Sequence, residues 1–310
     1  MDTQPTRHNG LTASRRSKAE LVPITDAADL LAVANFLHDN HNDRLPWALA
    51  CTALPGGSAP PNYGFMLRAG GRVVGSMLAL YSQRQIGGRV EHFCNLGSWC
   101  VLPEYRFRSI SLLNAALAQD GYHFTALSPD TGPREILAWS GFRFLDTSAV
   151  LVPNLPWPAV PGGTRVSSDP ALIERILTGT DLHVYRDHAR VLAAKQVVLA
   201  RGDQRCHVVF REFRHHNVPV FAEILHVSDP DLLRRWFRTL GRHLLLRHRL
   251  PATLVEVRLV GHRPRPGLEL NSWPKMYLSK DLGPDDIDYL YSELVCLPWL
   301  RGRAGRQPRR

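Results

Sequence analysis

The sequence predicts an α/β protein built on mixed sheets, with two copies of one architecture in tandem. Three observations predict it. Over residues 20–153, antiparallel hairpins come first and strand–helix alternation follows, an order that gives a mixed sheet with helices on both faces. The stretch "PNLPWPAVPGGTRVSSDP", residues 153–170, holds five prolines and two glycines and divides the chain. Beyond it the order of hairpin, long strand, helix and strand recurs with negligible sequence identity, so the second copy is degenerate. The expected organisation is a disordered leader (1–19), a first unit (20–153), a linker (154–169), a second unit (170–300) and a basic disordered tail (301–310).

In the first unit, "LVPITDAADLLAVANFLHDN" reads as a strand, a turn and an amphipathic helix. Leu30, Val33, Phe36 and Leu37 share one face, and Thr25 or Asp26 caps the start. "LPGGSAPPNYG", residues 54–64, is a loop. A hairpin turning at Gly70–Gly71 follows, then a second turn at Gly87–Gly88 and a long strand from about Val90 to Val101. Gly97 inside that strand marks a bulge or a close backbone approach. The next helix places Ile110, Leu113, Ala116 and Leu117 on one face. "HFTALSP" is a strand, "GPREILAW" a short helix capped by Gly141, and "FRFLDTSAVLVP" a further strand.

The second unit reads as helices at about 169–178 and 186–194, then strands "KQVVLARG", "RCHVVFREF" and "VPVFAEILHVS". A long helix, "DPDLLRRWFRTLGRHLLLRHRL", and the strands "ATLVEVRLV" and "KMYLSK" complete it.

The 310 residues, 44% hydrophobic and 21% charged, suit a globular chain with ample core. No apolar run reaches the ~18–20 residues of a membrane span, and the N-terminus lacks the apolar core of a signal peptide. The five scattered cysteines read as reduced thiols of a cytoplasmic protein. The net charge is +10, but the tail "RGRAGRQPRR" supplies five arginines and no acid, leaving +5 without it. That moderate excess suits an anionic cofactor as well as a polynucleotide.

The segment "VEHFCNLGSWCVLPEYR", with "RVVGSMLAL" before it, the helix "SISLLNAALAQ" and "ILAWSGFRFLD" after it, resembles the GNAT superfamily of acyl-CoA-dependent N-acyltransferases over residues 21–152. Val101, Pro103, Tyr105 and Arg106 match the family's exit from its fourth strand. Ser109 and Ser111 stand where its Arg/Gln-x-x-Gly-x-Gly/Ala turn carries glycines. The resemblance implies an acyl-CoA cosubstrate, acetyl-CoA or another, no metal, and a small-molecule or peptide amine as acceptor, attacked directly in a ternary complex. It also implies that the backbone donors of Phe107, Arg108, Ser109, Ile110 and Ser111 cradle the pyrophosphate. A strand feeding a helix leaves such first-turn N–H groups directed outward at the positive end of the dipole. Arg106 and Arg108 add charge, and the pantetheine arm would run along Trp99, Cys100 and Val101 as an added strand.

Acyl transfer to an amine needs a base, a polarised carbonyl and a protonated leaving thiolate. Glu91 and His92 are the titratable groups of the fourth strand, and Asn95, Ser98 and Cys100 lie nearer the bulge. The family's general-acid tyrosine falls on Leu137 here; Tyr122 or Tyr105 would have to substitute. A solvated strand start explains Glu91 and His92 equally well.

Other signals have simpler explanations. The long helix of the second unit sets Leu233, Trp236, Phe237, Leu240 and Leu244 against Arg234, Arg235, Arg238 and Arg242, the pattern of a helix packed on a sheet with a solvated basic face. This argues against a nucleic-acid partner. Asp229 and Asp231 would repel a pyrophosphate there, so the second unit is expected not to bind coenzyme A. Cys206, His207, His215, His216 and His226 fit no metal-ligand spacing and read as strand-turn surface. A decayed acyltransferase fold serving as a binding or scaffold module remains the alternative, because both glycines and the tyrosine are missing.

Overall fold

The computed structural model describes residues 18–55, 60–158, 163–215 and 218–298. The basic tail, most of the leader and position 216 of the expected His215–His216 turn lie outside them. The chain runs through β1 (Glu20–Pro23), α1 (Ala27–Asn40), α2 (Trp47–Thr52), β2 (Gly64–Ala69), β3 (Arg72–Ile86) and β4 (Arg89–Val101). A tight helical turn at Pro103–Arg108 leads into α3 (Ser109–Leu117), then β5 (His123–Ala126), α4 (Thr131–Trp139), β6 (Arg143–Phe144) and β7 (Ser148–Pro153). There follow β8 (Arg165–Ser167), α5 (Pro170–Ile176), α6 (Gly179–Asp187), β9 (Ala194–Arg201), β10 (Gln204–His215), β11 (Val218–Val227) and α7 (Pro230–His248). The last elements are β12 (Ala252–Glu256), α8 (Val257–Val260), β13 (Leu268–Asn271), β14 (Met276–Leu278) and α9 (Glu293–Cys296).

Two seven-stranded mixed sheets result, ordered β1-β2-β3-β4-β5-β14-β6 and β13-β7-β12-β11-β10-β9-β8. The two orders are the same pattern with one strand exchanged. β7 leaves the first sheet and pairs between β12 and β13, with Leu151 opposite Leu254 and Leu268. β14 fills the corresponding gap between β5 and β6, with Met276 opposite Ala126 and Phe144. The expected strand over 143–153 is therefore two strands in different sheets. Gly267 permits the β13–β7 approach, since a Cβ there would meet Val150 Cγ1 at 2.3 Å.

Each face of the first sheet has its own cover. α3 and α4 bury Leu112, Leu113, Ala116 and Leu137 on Leu67, Met77, Cys94 and Leu96. α1 and α2 bury Val33, Leu37 and Trp47 on Met66 and Leu78 on the opposite face. Full burial of each such side chain is worth about 1.5–3 kcal/mol. Asp26 caps α1, accepting from the Asp29 amide at 2.8 Å. Beyond α2 on that second face, the segment after β14 threads between the sheets. There Tyr289, Leu294 and Val295 pack with Phe93, Leu127 and Leu225 in one cluster.

Several details differ from the sequence reading. α3 turns Leu112, Leu113 and Ala116 inward and leaves Ile110 exposed, because the preceding tight turn rotates the helix face. The helix expected near 186–194 is instead α6 at Gly179–Asp187, where Leu182 and Tyr185 pack on Ile173 and Leu177, and residues 188–193 form the turn into β9. "ATLVEVRLV" is strand only to Glu256, whose pairing with Ala149 of β7 is the last of the strand, and α8 begins at Val257. Cys206 and His207 are buried and His226 is half-buried, none of them on a turn surface. Cys206 and His207 lie within β10 and His226 near the end of β11, and the His207 ring meets those of Tyr185 on α6 and His226 edge-on.

Candidate functional site

β4 and β5 pair in parallel only over Phe93–Asn95 with His123–Thr125, and then diverge. Opposite β3, the register slips between Leu78↔Gly97 and Ser76↔Cys100, which gives β4 one extra residue. Ser98 absorbs the slip at φ +53. The bulge inverts the pleat. Cys94 and Leu96 face α3 and α4 before it, and Trp99 and Val101 do so after it. Cys100, which alternation from Cys94 and Leu96 would place under α3, instead faces α1.

A cavity of about 100 Å³ opens at this splay. Met77, Leu96, Trp99 and Leu137 line it from the α3/α4 side, and Leu45, Trp47 and Leu297 from the α1/α2 side. It therefore passes through the sheet. Its polar lining comes from His41, Ser128, Asp130 and Glu293.

Glu293 closes the apex of the splay. Its amide donates to Asn95 Oδ1 at 3.1 Å on β4. Its Oε1 accepts from the Leu127 amide at 3.1 Å and from Ser128 Oγ at 2.8 Å just beyond β5. Its Oε2 is buried with no partner among the described residues. Gly97 lies flat against it, so close that a Cβ at Gly97 would sit 3.3 Å from Glu293 Cβ. Burial raises the Glu293 carboxyl above the ordinary range, and the hydrogen bonds from Ser128 and the Leu127 amide work the other way. His41 ends α1 on the rim; desolvation lowers its pKa, opposed by the charge of Asp130.

The expected residues fall in three places. Asn95 is in the site but as a cross-link, its Nδ2 donating to Thr125 Oγ1 at 2.9 Å while Oδ1 holds Glu293. Glu91 and His92 are roughly 20 Å back along the strand from the bulge. Glu91 pairs there with His123 at 3.0 Å, and the His92 ring meets Tyr122 edge-on. Trp99, Cys100 and Val101 follow the bulge, and their backbone has no strand partner on the β5 side. Trp99 Nε1 is buried and has no partner among the described residues, and burial raises the Cys100 thiol to about 11.

The turn after β4 differs from the expected cradle of free amides. The tight helical turn of Pro103–Arg108 uses the Ser109 amide on Arg106 O, and Ser111 Oγ donates to Arg108 O at 2.6 Å. Arg106 is exposed and Arg108 half-buried, and Arg108 Nε is an orphaned buried donor. Phe107 and Ile110 are exposed beside them. In the second sheet the corresponding helix start is taken by its own cap, Asp229 accepting from the Leu232 amide at 2.8 Å.

Glu293, Ser128 and His41 were not singled out in the sequence. The one signal was a carboxylate inside the apolar run "YSELVCL", but nothing local ties that run to residues 95–128. Leu137 lines the cavity, so no tyrosine stands at that wall position.

No protein-family model and no curated sequence matches the chain. Among solved structures it is similar to a GCN5-related N-acetyltransferase from Anabaena variabilis ATCC 29413, with TM-score 0.57 and 13% identity, over 84% of this chain and 72% of that one. It is also similar to a conserved protein of Enterococcus faecalis V583, described as of unknown function and a "Probable N-Acyltransferase", with TM-score 0.55 and 12% identity over 84% and 72%. The fold is that of the GNAT acyltransferases, with a second GNAT-like unit in tandem. Among the described residues no helix is long and apolar enough to cross a membrane. No group of three or more His, Cys, Asp or Glu side chains there could hold a metal ion.

Proposed function

We propose that the protein is an acyl-CoA-dependent N-acyltransferase, which passes the acyl group directly to an amine in a ternary complex at the β4/β5 splay. The observation that carries this reading is the cavity crossing the first sheet beside the β4 bulge. It gives a thioester and an amine access to one point from opposite faces, which converts a bimolecular encounter into an oriented one.

The residues present fit coenzyme A. The free edge of β4 over 99–101 can pair with the amide-bearing pantetheine arm as an extra strand. The orphaned Arg108 Nε, with Arg106, supplies donors and charge for the phosphates. Backbone N–H groups at the bulge are fixed dipoles, able to stabilise charge developing on the thioester oxygen. Serine at 109 and 111 narrows the phosphate cradle, so the arginines carry more of the binding than glycine-turn amides would. Asp229 leaves no such site in the second unit, which walls the acceptor side. The acceptor is a small-molecule or peptide amine, and acetyl-CoA is the first donor to test.

Leu137 on the cavity wall favours a second reading, a binding module that has lost catalysis. Free-thiol release separates the two. Acetyl-CoA is incubated with spermidine, an aminosugar and lysine-bearing peptides; amine-dependent thiol release is expected. Binding without release with every amine would leave the binding module.

A further inference from the structure

We propose that Glu293, delivered to the first sheet by the segment that follows the exchanged strand β14, accepts the proton of the incoming amine. The inference rests on the acyl-transfer reading.

Three observations converge on it. The carboxylate spans the diverging strands, held to β4 through Asn95 and to β5 through the Leu127 amide and Ser128. One oxygen is thereby fixed, while Oε2 has no partner among the described residues. A buried carboxylate oxygen without a donor carries a desolvation cost, which a substrate N–H would offset. Glu293 also lies on the α1/α2 side of the sheet, with Trp47, Cys51 and Leu297 around it. The arginine-bearing turn leads into α3 on the other side. Base and donor phosphates are thus on opposite faces, the arrangement that lets an amine approach the thioester from the side bearing the base.

The step balances. The amine nitrogen bonds to the thioester carbonyl carbon and the carbon–sulfur bond breaks. The nitrogen's proton passes to Glu293 Oε2 and from there to the departing sulfur, leaving an amide, a free thiol and the carboxylate restored. Groups that face Glu293 are Asn95 on β4, Ser128 beyond β5, Cys51 on α2 and Cys296 on α9, while His41 and Asp130 share the cavity.

The test measures acetyl-CoA affinity by calorimetry and amine-dependent thiol release across pH for wild type, E293Q and E293D. Expected is an acetyl-CoA Kd in E293Q within about threefold of wild type, with kcat reduced about 10²–10⁴-fold and the rise of kcat with pH abolished. E293D keeps that rise at lower kcat. E293Q retaining kcat and the wild-type pH profile overturns the proposal. So does E293Q losing acetyl-CoA binding, which makes the side chain a strut. A wild type that binds acetyl-CoA but transfers to no amine also overturns it. A wild type that binds no acetyl-CoA removes the acyl-transfer reading itself.

Discussion

Asn95 Oδ1 accepts the amide N–H of Glu293 at 3.1 Å, joining residues 198 apart in sequence. The same side chain donates to Thr125 on the neighbouring strand, so one amide marks where β4 and β5 part and fixes what enters between them. Asn95→Ala would leave the Glu293 amide and Thr125 hydroxyl unpaired in a buried place. The expected loss is about 1–3 kcal/mol of stability, read as a lower urea midpoint. Transfer should fall by more than acetyl-CoA affinity does.

Gly97→Ala tests the contact from the other side. The added methyl meets Glu293 Cβ at 3.3 Å and its Cγ and Cδ at 3.6 Å, so the carboxylate must shift. A misplacement of about 1 Å at a reacting group costs about a hundredfold in rate, and a smaller shift costs proportionately less. We expect kcat to fall about three- to tenfold with near-normal folding, measured by thiol release and thermal melting.

Glu293 also makes a stability prediction of unusual sign. Its folded-state pKa is raised by burial, so the native state holds the proton to higher pH than the unfolded chain does. Stability is then present at low pH and lost as pH rises through the folded value. E293Q should be more stable than wild type at pH 8, and the difference should vanish near pH 4.5. A variant less stable at pH 8 would contradict this.

The buried histidines have the opposite sign. Desolvation lowers His207 to about 3 and His188 to about 4, and Tyr291 N donates to His188 Nε2 at 3.1 Å, as a neutral ring requires. Between the unfolded value near 6.5 and these values the unfolded chain binds more protons, so stability falls as pH drops through that window. The unfolding free energy from denaturant titrations should decline steadily from pH 7 to pH 4.5, by on the order of a few kcal/mol in all. A flat profile across that range would show these rings to be accessible.

Lys275 precedes β14 and is 1% exposed. It bonds Glu256 Oε1 at 2.6 Å, beside Glu223, Arg211 and Tyr289. Lys275→Met would remove the cation from the buried Glu256 carboxylate, leaving it the Tyr289 hydroxyl as donor, costing about 3–5 kcal/mol and loosening the exchanged strand. Because β14 completes the first sheet, a single unfolding transition at lower urea is expected, rather than separate melting of the two sheets.

What the sequence made legible was local. The hairpin glycines, the bulge at Gly97 and the Asp26 and Asp229 caps follow from short-range rules, and so does the β4–turn–α3 unit. The exchange of β7 and β14 was not legible, because either strand satisfies its apolar pattern in either sheet. Glu293 was hidden for the same reason: a carboxylate acquires its role here from Asn95 and Leu127, which no local pattern connects to it. The turn at 103–111 lay between these cases. Its basic residues were visible, but a tight helical turn spending the Ser109 amide was not, since Pro103 at a helix start permits several geometries.

The central claim is that an acyl-CoA binds the first sheet at the β4/β5 splay, with its phosphates on the turn that holds Arg106 and Arg108. Calorimetric titration of the full chain with acetyl-CoA tests it most directly. One saturable site is expected, weakened at least tenfold by Arg108→Glu. No heat of binding up to millimolar acetyl-CoA, or equal affinity in Arg108→Glu, would contradict it.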